Sequence, residues 1–278
     1  MGLLPMMNKM TPVRFLYAIP YYAWMILFVA APIALVVYFS FLNLSGQFTL
    51  ENYRSFFSPV YLKLALSSFW YAFLITLFSL VIAYPTAYFL TKTKHKQLWL
   101  LFIIIPSWIN LLLKTYAFIG LMGFYGPMNA FLGLFGIGEK QILFTDFSFI
   151  FVSVYIFIPF MILPIFNSLD QLNPRLIDAS RDLGASAWTT FWRVVLPLTM
   201  NGVKSGVQIV FIPALSLFMI TRLIAGNKVL TLGTAIEQHF LVTQNWGMGS
   251  TLAVFLMIAM FLMMMVTRGN GKGGLFNG

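Results

Sequence analysis

The chain has 278 residues, of which 60% are hydrophobic and only 9% charged, with a formal net charge of +10. A soluble domain carries roughly a quarter charged residues, so most of this surface must face lipid, and the basic excess is read as loop chemistry of a membrane protein rather than nucleic-acid binding. The absence of cysteine excludes disulfides, thiol nucleophiles and cysteine metal sites, and two histidines far apart in sequence, His95 and His239, make no metal centre.

A bilayer-crossing helix needs about 20 mostly apolar residues. Six stretches reach that length: 15–42, 64–90, 98–122, 147–169, 202–221 and 247–266. The first contains Ala30-Ala31-Pro32, which looks like a leader cleavage region, but its apolar run is too long for one, and it is read as a retained helix. Pro32, Pro106, Pro159, Pro164 and Pro213 fall inside these stretches and are compatible with helix in lipid, where neighbouring helices satisfy the freed carbonyls. Six spans place both termini on one side. Eleven basic residues fall on that side: Lys9, Arg14, Lys92, Lys94, Lys96, Arg175, Arg181, Arg193, Lys204, Arg268 and Lys272. The opposite side has five, namely Arg54, Lys63, Lys140, Arg222 and Lys228, while Lys114 lies inside the third stretch. The excess marks the cytoplasmic face, so both ends are expected inside. The glycine-rich tail 269–278 is expected to be flexible, and its Gly271-Lys272 pair lacks the other elements of a phosphate loop.

The segment 170–198, between the fourth and fifth stretches, differs from the other loops. Asn173-Pro174 suits a helix start, Gly184 a left-handed helix stop, and Ser186 a second cap. After that cap Trp188, Phe191, Trp192 and Val195 recur at i, i+3, i+4 and i+7, which predicts one apolar stripe. A helix–turn–helix lying along the cytoplasmic surface is expected, with small residues Ala179 and Ser180 open to close approach by another protein.

The spacing here resembles the coupling loop of bacterial ATP-binding-cassette importer permeases: an acid, two alanines, three residues, glycine, nine residues, then Ile-x-Leu-Pro. Asp178 stands at the acidic position, Ala179 and Ser180 at the alanines, and Gly184 at the glycine. Val194, Leu196 and Pro197 close the pattern. Asp178, Ser180 and Val194 depart from it conservatively. The resemblance implies an all-α permease of six transmembrane helices with the type I importer fold, in which residues 1–268 form one domain and the loop docks on an ATPase. Pro20-Tyr21-Tyr22-Ala23-Trp24, Pro106-Ser107-Trp108 with Lys114 and Tyr116, and Phe211-Ile212-Pro213-Ala214-Leu215 resemble the spermidine/putrescine branch. Permeases for sulfate, thiamine and iron share the fold and the loop, and stay as alternative substrates. The family implies a second permease, two copies of an ATPase subunit and an external solute-binding protein, with residence in the bacterial cytoplasmic membrane and no cofactor.

Substrate-path candidates are Trp108, Lys114, Tyr116, Pro213, Phe218 and Glu237: aromatic faces for a cation, a proline that frees carbonyls, and the charges nearest the spans. Lys114 favours a structural role over substrate contact, since a lysine repels a polyamine. A secondary transporter should carry ionisable or paired broken-helix features of its own, and no Asp or Glu falls within the six stretches. An intramembrane enzyme needs a catalytic set, and none is present. A non-catalytic permease subunit is the reading that remains.

Overall fold

The computed structural model describes residues 12–226 and 228–267; Lys9, Arg268, Lys272 and the tail 269–278 lie outside the described residues. Among those described, the chain is helical apart from its turns and one isolated antiparallel bridge, Leu42 to Phe48.

The first span, α1, runs as α-helix over Pro12–Met25, as π-helix over Ile26–Ala30 and as α-helix over Ala31–Ser40. The short α2 (Glu51–Phe56) follows, and then α3 (Pro59–Thr91), the second span. Next come α4 (Lys96–Ile104, continued by a 3-10 turn over Ile105–Trp108), α5 (Leu111–Met122) and α6 (Pro127–Gly133). The fourth span is α7 (Asp146–Asp170), followed by the surface helix α8 (Pro174–Asp182). The fifth span, α9, runs unbroken over Ala187–Leu215, with a π-helical turn at Phe191–Val195. Last are α10 (Met219–Ile224), α11 (Leu232–Leu241) and the sixth span, α12 (Trp246–Thr267).

The bundle is organised around α3, α7 and α9, which pack mutually, while α12 packs on α1, α2, α9 and α11. Lipid provides no hydrophobic drive between helices, so close backbone approach has to supply the attraction. Small residues make that approach possible. Gly202 and Gly206 of α9, four residues apart, press on α7. A Cβ at Gly202 would sit 2.5 Å from the Ser168 Cβ and 2.6 Å from the Pro164 carbonyl oxygen, and one at Gly206 would sit 2.7 Å from the Met161 sulfur. Ala72, Ala83 and Ala87 of α3 are fully buried in the same core. The Tyr84 hydroxyl meets the Thr199 hydroxyl at 2.9 Å and links α3 to α9.

Two departures from the sequence reading have local causes. The stretch 98–122 is not one helix: Lys96–Trp108 and Leu111–Gly133 are bent by 89° at a short break. Pro106 sits in the 3-10 turn, the Ser107 hydroxyl donates to the Ile104 carbonyl at 2.6 Å, and Asn110 restarts the helix as its cap, its Oδ1 accepting from the Leu112 N–H at 2.8 Å. The fifth span begins at Ala187 and ends at Leu215, where 202–221 was expected. Lys204 therefore lies within a continuous helix, not in a cytoplasmic loop.

The two π-turns share one explanation. In each, an N–H bonds the carbonyl five residues back, Ala31 to Ile26 and Leu196 to Phe191. In each, a single residue separates the turn from a proline, Pro32 and Pro197. Proline has no N–H and its ring clashes with the carbonyl four residues back. A widened turn just before it relieves both problems without ending the helix.

Candidate functional site: an exposed hairpin and a broken span

The segment 170–198 folds as a capped hairpin. The Asn173 side chain accepts from the Arg175 N–H at 3.0 Å and starts α8. Gly184 adopts φ +80° and stops it. The Ala185 N–H bonds the Ser180 carbonyl (3.1 Å) and the Gly184 N–H bonds the Arg181 carbonyl (2.8 Å). This pair of bonds is the Schellman arrangement, which a left-handed glycine permits. Ser186 then caps α9, its Oγ accepting from the Thr189 N–H at 3.2 Å. A Ser180–Thr190 hydroxyl contact of 3.0 Å ties the two arms together.

The second arm is not a separate surface helix. It is the first turn of α9, so the hairpin is rigidly continuous with the fifth span. The expected apolar stripe also divides, because the π-turn at Phe191–Val195 inserts one residue into the helical phase. Val195 is buried, and Phe191 packs edge-on against Tyr84 and Tyr88 of α3, with centroids 5.6 and 5.8 Å away. Trp188 remains 70% exposed and Trp192 points outward with it. Around the turn Leu183 is 88% exposed, and Asp178, Ala179 and Gly184 are open as well. Val194, Leu196 and Pro197 lie at the base of α9, with Val194 and Leu196 half-buried. The hairpin thus presents small and apolar groups on a rigid base.

A contact beside the hairpin was not foreseen. Lys96, the first residue of α4, forms an ion pair with Asp170, the last residue of α7. Each charge opposes the dipole of its own helix end, and pairing neutralises both. It joins the base of the hairpin to the start of the broken third span. The sequence separation of 74 residues concealed it.

The path candidates do not converge on one spot. Lys114 is buried on α5 near the elbow, with Nζ 3.4 Å from the Ser107 carbonyl oxygen. Trp108 and Tyr116 sit on either side of the break with their rings exposed. Pro213 lies in the last turn of α9 and Phe218 just beyond, where the chain leaves helix before α10. In this break the Leu217 carbonyl accepts from the hydroxyls of Thr221 and Thr231, both at 3.0 Å. Glu237 on α11 accepts from Arg222 at 2.7 Å, so it is an ion-paired carboxylate rather than a free one. His239, two residues after Glu237, shares a 2.9 Å hydrogen bond with the Tyr61 hydroxyl at the start of α3. Burial pushes its imidazole below the ordinary histidine range. Among the described residues, no group of three or more His, Cys, Asp or Glu is placed to hold a metal ion.

Comparison with known proteins gives a consistent result. No family model matches the chain. It is 36% identical over 255 residues to the spermidine/putrescine transport system permease protein PotB of Haemophilus influenzae, covering 88% of this chain and 89% of that one. Identity to the PotB of Escherichia coli is 37% over 253 residues, covering 87% and 92%. The inner membrane ABC transporter permease protein YdcU of Escherichia coli is 29% identical over 239 residues, 80% of this chain and 76% of its own. Among solved structures, a bacterial ABC transporter importing the acidic polysaccharide alginate superposes with a TM-score of 0.77 at 16% identity, over 93% of this chain and 96% of that one. The alginate transporter bound to its pentasaccharide-loaded periplasmic protein gives 0.80 at 14% identity, over 95% and 96%. The fold is therefore that of ABC importer permeases.

Proposed function

The chain belongs to the family of PotB-type transport permeases, and from that premise we propose that it is a membrane subunit of an ATP-driven importer of spermidine and putrescine. The observation that carries this reading is 36–37% identity to permeases named for those polyamines along nearly the whole chain. The exposed hairpin supports the mechanical half of it. In this reading an ATPase subunit grips the turn at Gly184, and its closure moves α9 directly. A 29-residue helix is about 43 Å long at 1.5 Å per residue, enough to carry a displacement from the hairpin to the far end of the bundle. Because α9 packs on α3 and α7 through small residues, the three tilt together.

The full assembly holds a second permease, two ATPase copies and an external binding protein, in a bacterial cytoplasmic membrane with both termini of this chain inside. This chain hydrolyses no ATP; the energy enters through the hairpin. A polyamine on its path meets aromatic faces and carbonyls, with cation–π contacts of about 0.5–2 kcal/mol each. Such contacts are weak enough to release the cargo. The test is uptake in cells lacking other polyamine importers. Labelled spermidine uptake should require this chain and be competed by unlabelled polyamine. Loss of sulfate, thiamine or iron uptake on deletion, with spermidine uptake intact, would refute the substrate.

A further inference from the structure

Lys114 has a side chain that the chain itself leaves without a counter-charge. It is nine-tenths buried at the inside of the elbow in the third span. Its Nζ makes a single long contact with the Ser107 carbonyl oxygen at 3.4 Å. It lines two neighbouring cavities of about 170 and 280 Å³ whose other walls are mainly apolar and aromatic, Pro106, Pro159 and Tyr155 on one side and Leu113 and Phe118 on the other. One weak hydrogen bond does not offset the removal of an ammonium from water.

The carboxylates of the whole chain number seven: Glu51, Glu139, Asp146, Asp170, Asp178, Asp182 and Glu237. None lies in the interior of a span. Asp146 and Asp170 are the two end residues of α7, Asp170 is engaged by Lys96, and Glu237 by Arg222. No carboxylate is within 4.0 Å of Lys114, since the ion pairs among the described residues are those two. The counter-charge has to come from another molecule. A polyamine cannot supply it, being of the same sign. Of the other lysines in the span helices, Lys96 is paired with Asp170, Lys63 is exposed and Lys204 is only half-buried, so none imposes the same demand.

The surface around Lys114 indicates which molecule. Trp108, Ile109, Leu113 and Tyr116 are all at least half exposed, forming an apolar collar around a buried cation. Acyl chains would cover the collar but carry no anion; a protein helix with one acidic residue satisfies both. We propose that Lys114 is an interface residue, and that the second permease packs a helix on the elbow and presents an aspartate or glutamate carboxylate to the Lys114 ammonium. This rests on the reading of the chain as one of a permease pair. The pair would fix the elbow against its partner and neutralise a positive charge beside the path, lowering the barrier to a polycation.

The test uses the complete complex in membranes, treated with a lipid-soluble carbodiimide that couples an amine to a nearby carboxylate as an amide. Mass spectrometry should find Lys114 linked to an Asp or Glu of the second permease, and the link should vanish in Lys114→Met. The Lys96–Asp170 amide within this chain is the internal control for the chemistry. Co-purification of a second permease reports separately on the pairing itself. If the second permease co-purifies and the control amide forms, but Lys114 stays unlinked or links only within its own chain, the proposal is overturned. Lys114→Glu is expected to lower uptake by at least about tenfold at matched abundance. Suppressors should convert an acidic residue of the second permease to lysine or arginine; suppressors confined to this chain, or retention of a lipid phosphate at Lys114, would also overturn it.

Discussion

Replacing Gly184 isolates the turn of the hairpin from the bundle that carries it. A Cβ at this position would meet nothing within 4 Å, so any effect comes from the backbone and not from a clash. At φ +80° an L-residue such as alanine pays about 1–2 kcal/mol in the left-handed region. The two Schellman bonds contribute about 1 kcal/mol each, so alanine cancels most of what holds the turn. At about 1.4 kcal/mol per factor of ten, the turn loses roughly five- to thirtyfold in preference over alternative conformations. Valine, β-branched, should cost more, and asparagine, which tolerates this region, less. The assay is substrate uptake and substrate-stimulated ATP hydrolysis by the whole complex in proteoliposomes. Activity should fall in the order Gly, Asn, Ala, Val, with Gly184→Val retaining less than a tenth of uptake by this arithmetic, while membrane abundance stays level. Wild-type uptake and ATP coupling by Gly184→Val at equal abundance would show that the turn does not have to be held in this shape.

A cysteine introduced at Ser45 or Gly138 should react with an impermeant thiol reagent on intact cells, and one at Lys94 or Arg181 should not; the native chain contributes no background thiol. External labelling at position 94 or 181 would reverse the orientation. Gly206→Leu should reduce abundance sharply, since even a Cβ there falls 2.7 Å from the Met161 sulfur; overpacking of this kind costs about 1–3 kcal/mol, and normal yield with normal thermal stability would contradict the packing. His239 has a folded-state pKa below its ordinary 6.5, so the folded protein binds fewer protons than the unfolded one and stability is lost as pH falls below that value. Thermal unfolding of the purified complex between about pH 7.5 and pH 5 should show this loss, and His239→Gln should remove that component; an unchanged slope would rule the histidine out.

The spans and the hairpin were legible because both are written in local pattern: long apolar runs, Asn173-Pro174, and a glycine at the stop. The elbow was not, because both halves of 98–122 are apolar and hydropathy cannot register a change of direction between them. Asn110 between apolar runs was the available signal, an asparagine cap where a straight span needs none. Phase shifts are equally invisible to a 3.6-residue count. Trp188 and Val195 belong to one stripe on a regular helix, and only the π-turn places them apart. The Lys96–Asp170 pair could not be read at all, since neither residue is unusual in its own neighbourhood and the link exists only once α4 and α7 are brought together. Lys114 was visible as an intramembrane charge, whereas its near-complete burial required the fold.

The widened turn at Phe191–Val195 sets an angle. An α-helix advances about 100° and 1.5 Å per residue, so the single extra residue held there fixes the azimuth at which the hairpin leaves the fifth span. Were the same residues to wind as regular α-helix instead, the residue now absorbed by the wide turn would add its own advance, pushing the hairpin about 1.5 Å outward and swinging it about 100° around the helix axis. Leu183 and Ala179 would then face a different direction, with every local feature of the hairpin intact. The turn thus acts as an indexing notch, and Pro197, whose ring forbids the regular turn before it, keeps the notch from slipping.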